Sequence, residues 1–144
     1  MVLRCAACSK KNRVAARHLL AAVRCGSCKA EILPPKEPLE ADAALVDEAI
    51  ADAPVPVLID FWAGWCGPCV MTAPEFKKAA AALAGRALFL KVDTEAHPRL
   101  AARFGVQSIP NFVLARNGGV VMQRPGAATA EQMKAWIAQA SRPG

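Results

Sequence analysis

The sequence predicts an α/β protein, a mixed central sheet flanked by helices on both faces, with a small N-terminal module attached to it. Three observations predict this. From residue 42 onward, apolar runs of strand length alternate with segments of helical composition; three prolines interrupt the pattern within ILPPKEPLE; and four of the six cysteines fall in the first 28 residues. A chain of 144 residues that is 54% hydrophobic has room for one ordinary domain and an appendage, and it is far too apolar for a disordered chain.

Each element has its own signal. DAALVDEAIAD has the apolar spacing of a short amphipathic helix, and VLIDFWA, entered through Pro54 and Pro56, is a continuous apolar run that fits a strand buried on both faces. VMTAPEFKKAAAALAG is helical with Pro74 inside it, and its stop is expected at Gly85. ALFLKVD is the next strand and PRLAARF a short helix. NFVLA and VVMQR flank Asn117-Gly118-Gly119 as a hairpin, and TAEQMKAWIAQA closes the chain as a helix capped by Thr129. The order helix, strand, helix, strand, helix, strand, strand, helix implies parallel neighbours with an antiparallel end. Because Pro34 and Pro35 push the residues before them toward extended backbone, the boundary is placed so that residues 1–33 form the small module and 34–144 the α/β domain.

Charge separates the same two parts. Residues 1–30 hold Arg4, Lys10, Lys11, Arg13, Arg17, Arg24 and Lys29 with no acid, whereas residues 31–144 sum to −1. Without interleaved aromatic residues for base stacking, these cations read as a solvated face ahead of a nucleic-acid surface. MVLRCAACSKKNR lacks the apolar core of a signal peptide, and RHLLAAVRC is too short and too basic to span a bilayer, so the cytoplasm is the expected compartment. Thiols there are kept reduced, which turns three tight Cys-x-x-Cys pairs toward metal binding or redox catalysis and away from structural disulfides.

Cys5 and Cys8, then Cys25 and Cys28, stand in two pairs separated by 16 residues, the ribbon spacing for one zinc ion. Four thiolates close a tetrahedron and leave no open position for water, so the metal is expected to be structural, and a segment this small needs it in order to fold. His18 between the pairs reads as a surface histidine.

Cys66 and Cys69 have a different context, following a buried strand and opening a helix. Unsatisfied amides and the positive end of the helix dipole favour a thiolate at Cys66, making it the nucleophile, and Cys69 lies within reach to resolve a mixed disulfide. Pro68 is tolerated in the first turn. Asp60, inside an apolar run, is expected to be desolvated and to titrate high, or else to cap a loop at the strand's end. On residues alone, Lys91 reads as an exposed strand lysine and Pro110 as an ordinary trans proline opening a strand.

DFWAGWCGPC resembles the active-site signature of thioredoxins, and residues from about 38 to 141 resemble that family throughout, with KVD, SIPNF and PGA in the expected order. The N-terminal ribbon further resembles that of the two-module, zinc-bearing thioredoxins of bacteria, the thioredoxin 2 type. The resemblance implies the thioredoxin fold and a monomeric protein-disulfide reductase that works through a redox-active Cys66–Cys69 disulfide without bound flavin or nicotinamide. The resemblance further implies that it acts on disulfide-containing proteins and is recycled by thioredoxin reductase. The resemblance also implies that Asp60 shuttles a proton with Cys69 while Lys91 tunes it. By the same resemblance Ile109-Pro110 is expected to be cis, with the Ile109 backbone pairing to an extended substrate strand, and Trp65, Gly67, Pro68 and Gly126 are expected to flank the same groove, leaving Trp62 to the core. Ser108 and Asn111 depart from the residues usual there, which bears on substrate preference. Two rivals stand beside this reading: a basic zinc ribbon that grips a partner with the second module as scaffold, and a ribbon whose thiols oxidise and release zinc as a sensor.

Overall fold

The computed structural model describes residues 1–32 and 34–141. Leu33, assigned above to the end of the small module, lies outside them. The small module carries β1 (Val2–Arg4) and β2 (Lys11–Arg13), paired antiparallel with Leu3 opposite Asn12, and then a single 3-10 turn at Ala16–His18. After it come β3 (Leu39–Glu40), α1 (Ala43–Asp52), β4 (Val57–Trp62), α2 (Gly67–Ala82), β5 (Leu88–Asp93), α3 (Pro98–Arg103), β6 (Asn111–Arg116), β7 (Gly119–Pro125) and α4 (Ala130–Ala140). The five-stranded sheet runs β3-β5-β4-β6-β7, with β3, β5 and β4 parallel and the last two pairings antiparallel.

Alternation along the central strands assigns the two faces. Val57, Ile59 and Phe61 of β4 join Leu88, Leu90 and Val92 of β5 in one apolar cluster, which also takes in Val46 and Ala49 of α1 and Leu100 of α3. Leu58, Phe89, Phe112 and Leu114 point the other way, onto Phe76 and Ala79 of α2 and Met133 and Ile137 of α4. Phe76 ties that second layer together, its ring centroid 5.2 Å from Phe89 and 6.1 Å from Phe112. β4 is therefore buried on both faces, as its uninterrupted apolar run predicts.

The elements begin and end for local reasons. Asp42 accepts from the Leu45 amide at 2.9 Å to start α1, and Thr129 and Gln132 make a reciprocal capping box at the start of α4. Asn117 and Gly118 take φ of 53° and 87° between β6 and β7, the left-handed pair that a tight hairpin needs. The stop expected at Gly85 comes earlier: α2 ends at Ala82, because the amides of Arg86 and Ala87 both turn back onto the Leu83 carbonyl. Gly85 then sits in the turn at φ +83°. β3 had no counterpart in the predicted order, since two residues carry no periodicity.

The small module does not stand apart. Met1, Leu3, Val14 and Leu19 belong to the same apolar cluster as Val46 and Ala49, and the Ala16 amide donates to Glu48 Oε2 of α1 at 2.6 Å. An orphan donor at the mouth of the 3-10 turn is thus satisfied from the larger module. No described helix is long and apolar enough to cross a membrane.

Candidate active site and metal centre

β4, the central strand, delivers the chain to the carboxyl end of the parallel strands, and α2 starts five residues after the strand's last residue. Cys66 is the cap of that helix: its backbone is extended (φ −85°, ψ 110°), its Sγ accepts from the Cys69 amide at 3.2 Å, and its carbonyl accepts from Val70 at 3.1 Å. Pro68 occupies the second helical position, where a missing N–H leaves nothing unpaired. Cys66 and Cys69 are joined as a disulfide, 4% and 3% exposed, and pack with Ala63, Trp62 and Ile109. Exposure does not distinguish the two sulfurs; the cap does, because among the described residues it is Cys66 Sγ that receives a backbone donor at the positive end of the helix.

Asp60 lies on the α2-facing side of β4 and is 2% exposed, with Oδ1 lacking a hydrogen-bond partner among the described residues. Burial pushes its carboxyl up to about 7, against the opposing pull of the Lys91 ammonium. Lys91 is directly opposite Asp60 in the β4–β5 register, its side chain only 27% exposed and its Nζ 4.6 Å from the centre of the Trp62 ring. It is therefore not the exposed strand lysine of the residue-only reading, and Asp60 is not a loop cap.

The Ile109–Pro110 peptide is cis, unlike the ordinary trans proline. The Ile109 carbonyl oxygen is 3.6 Å from Cys66 Sγ, and the Gly126 amide, on a residue with φ +95°, donates to the Pro110 carbonyl at 2.8 Å. Asn111 is buried and its Oδ1 accepts from Gln123 Nε2 at 3.2 Å, the same nitrogen that donates to the Phe104 carbonyl at 2.9 Å. Ser108 is exposed at the near side of this loop. Trp65 is 71% exposed, with its indole N–H donating to Glu95 Oε1 at 2.6 Å. Val70 and Met71 are also exposed, so Gly67 and Pro68 sit within an apolar surface around the disulfide. Trp62 is half-buried against the cysteines, in keeping with a core role.

The other four cysteines converge at the far module. Their sulfurs all lie within 4.8 Å of one another, with Cys5 to Cys28 at 3.5 Å and Cys8 to Cys25 at 3.6 Å. A tetrahedron of sulfurs around zinc has edges of about 3.8 Å, so the four are close enough to hold one ion. The two knuckles repeat each other: Ser9 N to Cys5 O (2.8 Å) and Cys5 N to Lys10 O (2.9 Å) in the first, Lys29 N to Cys25 O (3.0 Å) and Cys25 N to Ala30 O (2.8 Å) in the second. The Cys25 thiol is pulled down to about 6, first by the Cys28 amide and then by Asn12 Nδ2 and the Ser27 amide. Cys28 moves to about 11: the Ala30 amide lowers it, but the neighbouring Cys5 and Cys8 sulfurs and burial together outweigh that. Four sulfurs this close favour full ionisation only around a cation. His18 is exposed and outside the cluster.

Four participants were not singled out in the sequence. Glu95 holds Trp65, Glu40 lies 3.8 Å from Lys91, Gln123 anchors Asn111, and Asn12 supports Cys25 while its Oδ1 accepts from the Gly26 amide at 2.9 Å. All four act across the fold, where no local spacing announces them.

The family model described as Thioredoxin matches residues 37–139. Thioredoxin C-3 of Corynebacterium nephridii is 41% identical over 139 residues, 96% of this chain and 94% of its own length, so that likeness spans both modules. Thioredoxin 1 of Chlorobaculum tepidum is 41% identical over 98 residues, covering 68% of this chain and 97% of its own. Among solved structures, a mutant thioredoxin from Halobacterium salinarum superposes with a TM-score of 0.70 at 31% identity, covering 76% of this chain and 96% of that one. With the disulfide at the head of α2, the five-stranded mixed sheet and a four-sulfur cluster that fits a zinc ribbon, the chain belongs to the thioredoxin family and is a thiol-disulfide oxidoreductase.

Proposed function

We propose that the protein is a protein-disulfide reductase whose nucleophile is Cys66. The observation that carries this reading is the cap: the Cys69 amide donates to Cys66 Sγ at 3.2 Å at the amino end of a 16-residue helix. A donor and a dipole at one sulfur stabilise its thiolate. In the reduced protein that thiolate attacks a substrate disulfide, forming a mixed disulfide and releasing one substrate thiolate. Asp60 takes the Cys69 proton; Cys69 then attacks Cys66 Sγ, the second substrate thiolate leaves and is protonated, and Cys66–Cys69 closes. Two electrons pass to the substrate, and thioredoxin reductase returns them. Ile109, Pro110, Trp65, Gly67, Pro68 and Gly126 line the surface where an extended substrate segment lies, and Lys91 tunes Asp60.

Zinc, held by Cys5, Cys8, Cys25 and Cys28, is the ion this all-thiolate set suits. It would fix residues 1–33 as a folded module ahead of the 34–144 domain in a cytoplasmic protein. The seven cations of that module are all exposed and none has an ion-pair partner among the described residues, which supports a steering role toward acidic substrates.

Insulin disulfide reduction with the whole chain tests the assignment. Cys66→Ser is expected to fall to background and Cys69→Ser to accumulate a mixed disulfide with substrate; undiminished turnover by Cys66→Ser would remove the nucleophile from the scheme.

A further inference from the structure

One ammonium stands between two carboxyls. In the sheet register Lys91 of β5 is opposite Asp60 of β4 on one side and opposite Glu40 of β3 on the other, and its Nζ lies 3.8 Å from Glu40 Oε1. Residues opposite each other on adjacent strands share a face, so the three side chains form one row, buried at Asp60, 27% exposed at Lys91 and 68% exposed at Glu40. The row opens into a groove of about 480 Å³ between β3 and α2, lined by Pro38, Glu40, Val70, Ala73, Pro74 and Lys91.

We propose that Glu40 is a positioning residue for the reaction: it draws the Lys91 ammonium toward the groove and away from Asp60, and so sets how readily the buried carboxyl gives up and regains its proton. The proposal rests on the reading of Asp60 as the group that serves Cys69. Lys91 is the cation that acts on Asp60, and it favours the ionised form. A second carboxylate competing for that ammonium weakens the effect, and its own negative charge two strands away acts in the same direction.

Other charged or titratable groups on the elements around this face of the sheet have partners of their own. From α2, Cys66 and Cys69 are tied up in the disulfide, and Lys77 lies 3.8 Å from Glu37 at the groove's mouth. On β6 and β7 the row continues through Phe112 to Arg124, whose guanidinium lies 5.7 Å from the Trp136 ring centre. On α4, Lys134 pairs with Glu131 at 3.0 Å.

The test is a carboxyl-carbon NMR titration of Asp60 in the oxidised, zinc-loaded full chain, where neither dithiol sulfur titrates. Strand spacing puts Glu40 and Asp60 about 10 Å apart, where the direct charge effect is roughly 0.3 of a pH unit; with Lys91 released as well, Glu40→Gln is expected to lower the Asp60 midpoint by roughly 0.7 of a unit and Glu40→Lys by about twice that. In a Lys91→Met background the Glu40→Gln shift is expected to shrink to less than half. No shift, or an upward one, overturns the proposal, and an equal shift with and without Lys91 overturns the positioning route. The pH profile of insulin reduction separates the underlying reading. A profile that follows the Asp60 midpoint supports both claims; one that ignores a shifted midpoint leaves Glu40 in place and overturns the proton role of Asp60.

Discussion

The two kinds of Cys-x-x-Cys in this chain share more than spacing. In both knuckles and in the dithiol, the amide four residues after the first cysteine bonds to that cysteine's carbonyl: Ser9 to Cys5, Lys29 to Cys25, and Val70 to Cys66. They part at that fifth residue. Ser9 and Lys29 both take φ of 66° and fold the chain back, whereas Val70 lies inside α2 and continues it. A β-branched valine is a poor occupant of left-handed backbone, and a hydroxyl or flexible lysine residue tolerates it better. One backbone choice therefore leaves a sulfur at the head of a helix, where it is polarised for attack. The other turns each pair back as a knuckle, and the two knuckles face each other across a metal-sized gap.

The largest effect that sharpens this contrast is metal removal. Structural zinc contributes on the order of 10–16 kcal/mol to folding in such modules. Chelation is expected to abolish hydrogen-exchange protection in residues 1–31 and lower the melting temperature, while the Cys66–Cys69 disulfide remains reducible. Unchanged protection after complete chelation would sink the structural-metal reading.

Next comes Asp60→Asn. The folded carboxyl holds its proton up to about pH 7, whereas its ordinary value is 3.8. The unfolded chain loses that proton first, so the native state is penalised increasingly as pH rises from about 4 to about 7 and by a constant amount above. The variant is expected to gain about 4 kcal/mol of stability above pH 7 and nothing below pH 4, read by urea denaturation across pH. It should also slow release of the mixed disulfide; a stability gain independent of pH would show that desolvation is not the cause.

Ser9→Val tests the fifth position directly. Forcing a β-branched residue to φ 66° costs about 1–2 kcal/mol, so zinc affinity in a chelator competition should fall by roughly a factor of ten. Affinity equal to the parent would show that the knuckle does not depend on that residue's conformation. The smallest effect expected is at Glu95→Gln. Replacing a charged acceptor for the Trp65 indole by a neutral one weakens a hydrogen bond worth about 1 kcal/mol, which should raise KM for protein substrates a few-fold and leave kcat alone. A fall in kcat instead would mean that Trp65 acts in the chemistry and not only in the binding surface.

What the sequence disclosed follows from which forces are local. VLIDFW declares a doubly buried strand because every position is apolar except Asp60, and Thr129 declares a helix start. The four metal-spaced cysteines were readable because knuckle geometry is confined to each pair. β3 was not, since Leu39 and Glu40 become a strand only through pairing with Leu90 and Lys91, some fifty residues on. On residues alone Lys91 reads as exposed for the same reason: a lysine in a strand is ordinarily solvated, and it takes Trp62, Asp60 and Glu40 converging from elsewhere to enclose it. The cis state of Pro110 has no residue-level signal, and it was anticipated through family resemblance alone.

The sharing of one oily layer by Met1, Leu3, Val14 and Leu19 with α1 bears on how the protein is cut in the laboratory. A chain shortened to the second module would bare Val46 and Ala49, strip Glu48 of the amide it holds, and invite clumping. Altered behaviour of such a fragment would then report stickiness before it reported anything about substrate choice. Reversing individual cations on the intact surface, Arg4 or Lys11 for instance, asks the question without opening the seam.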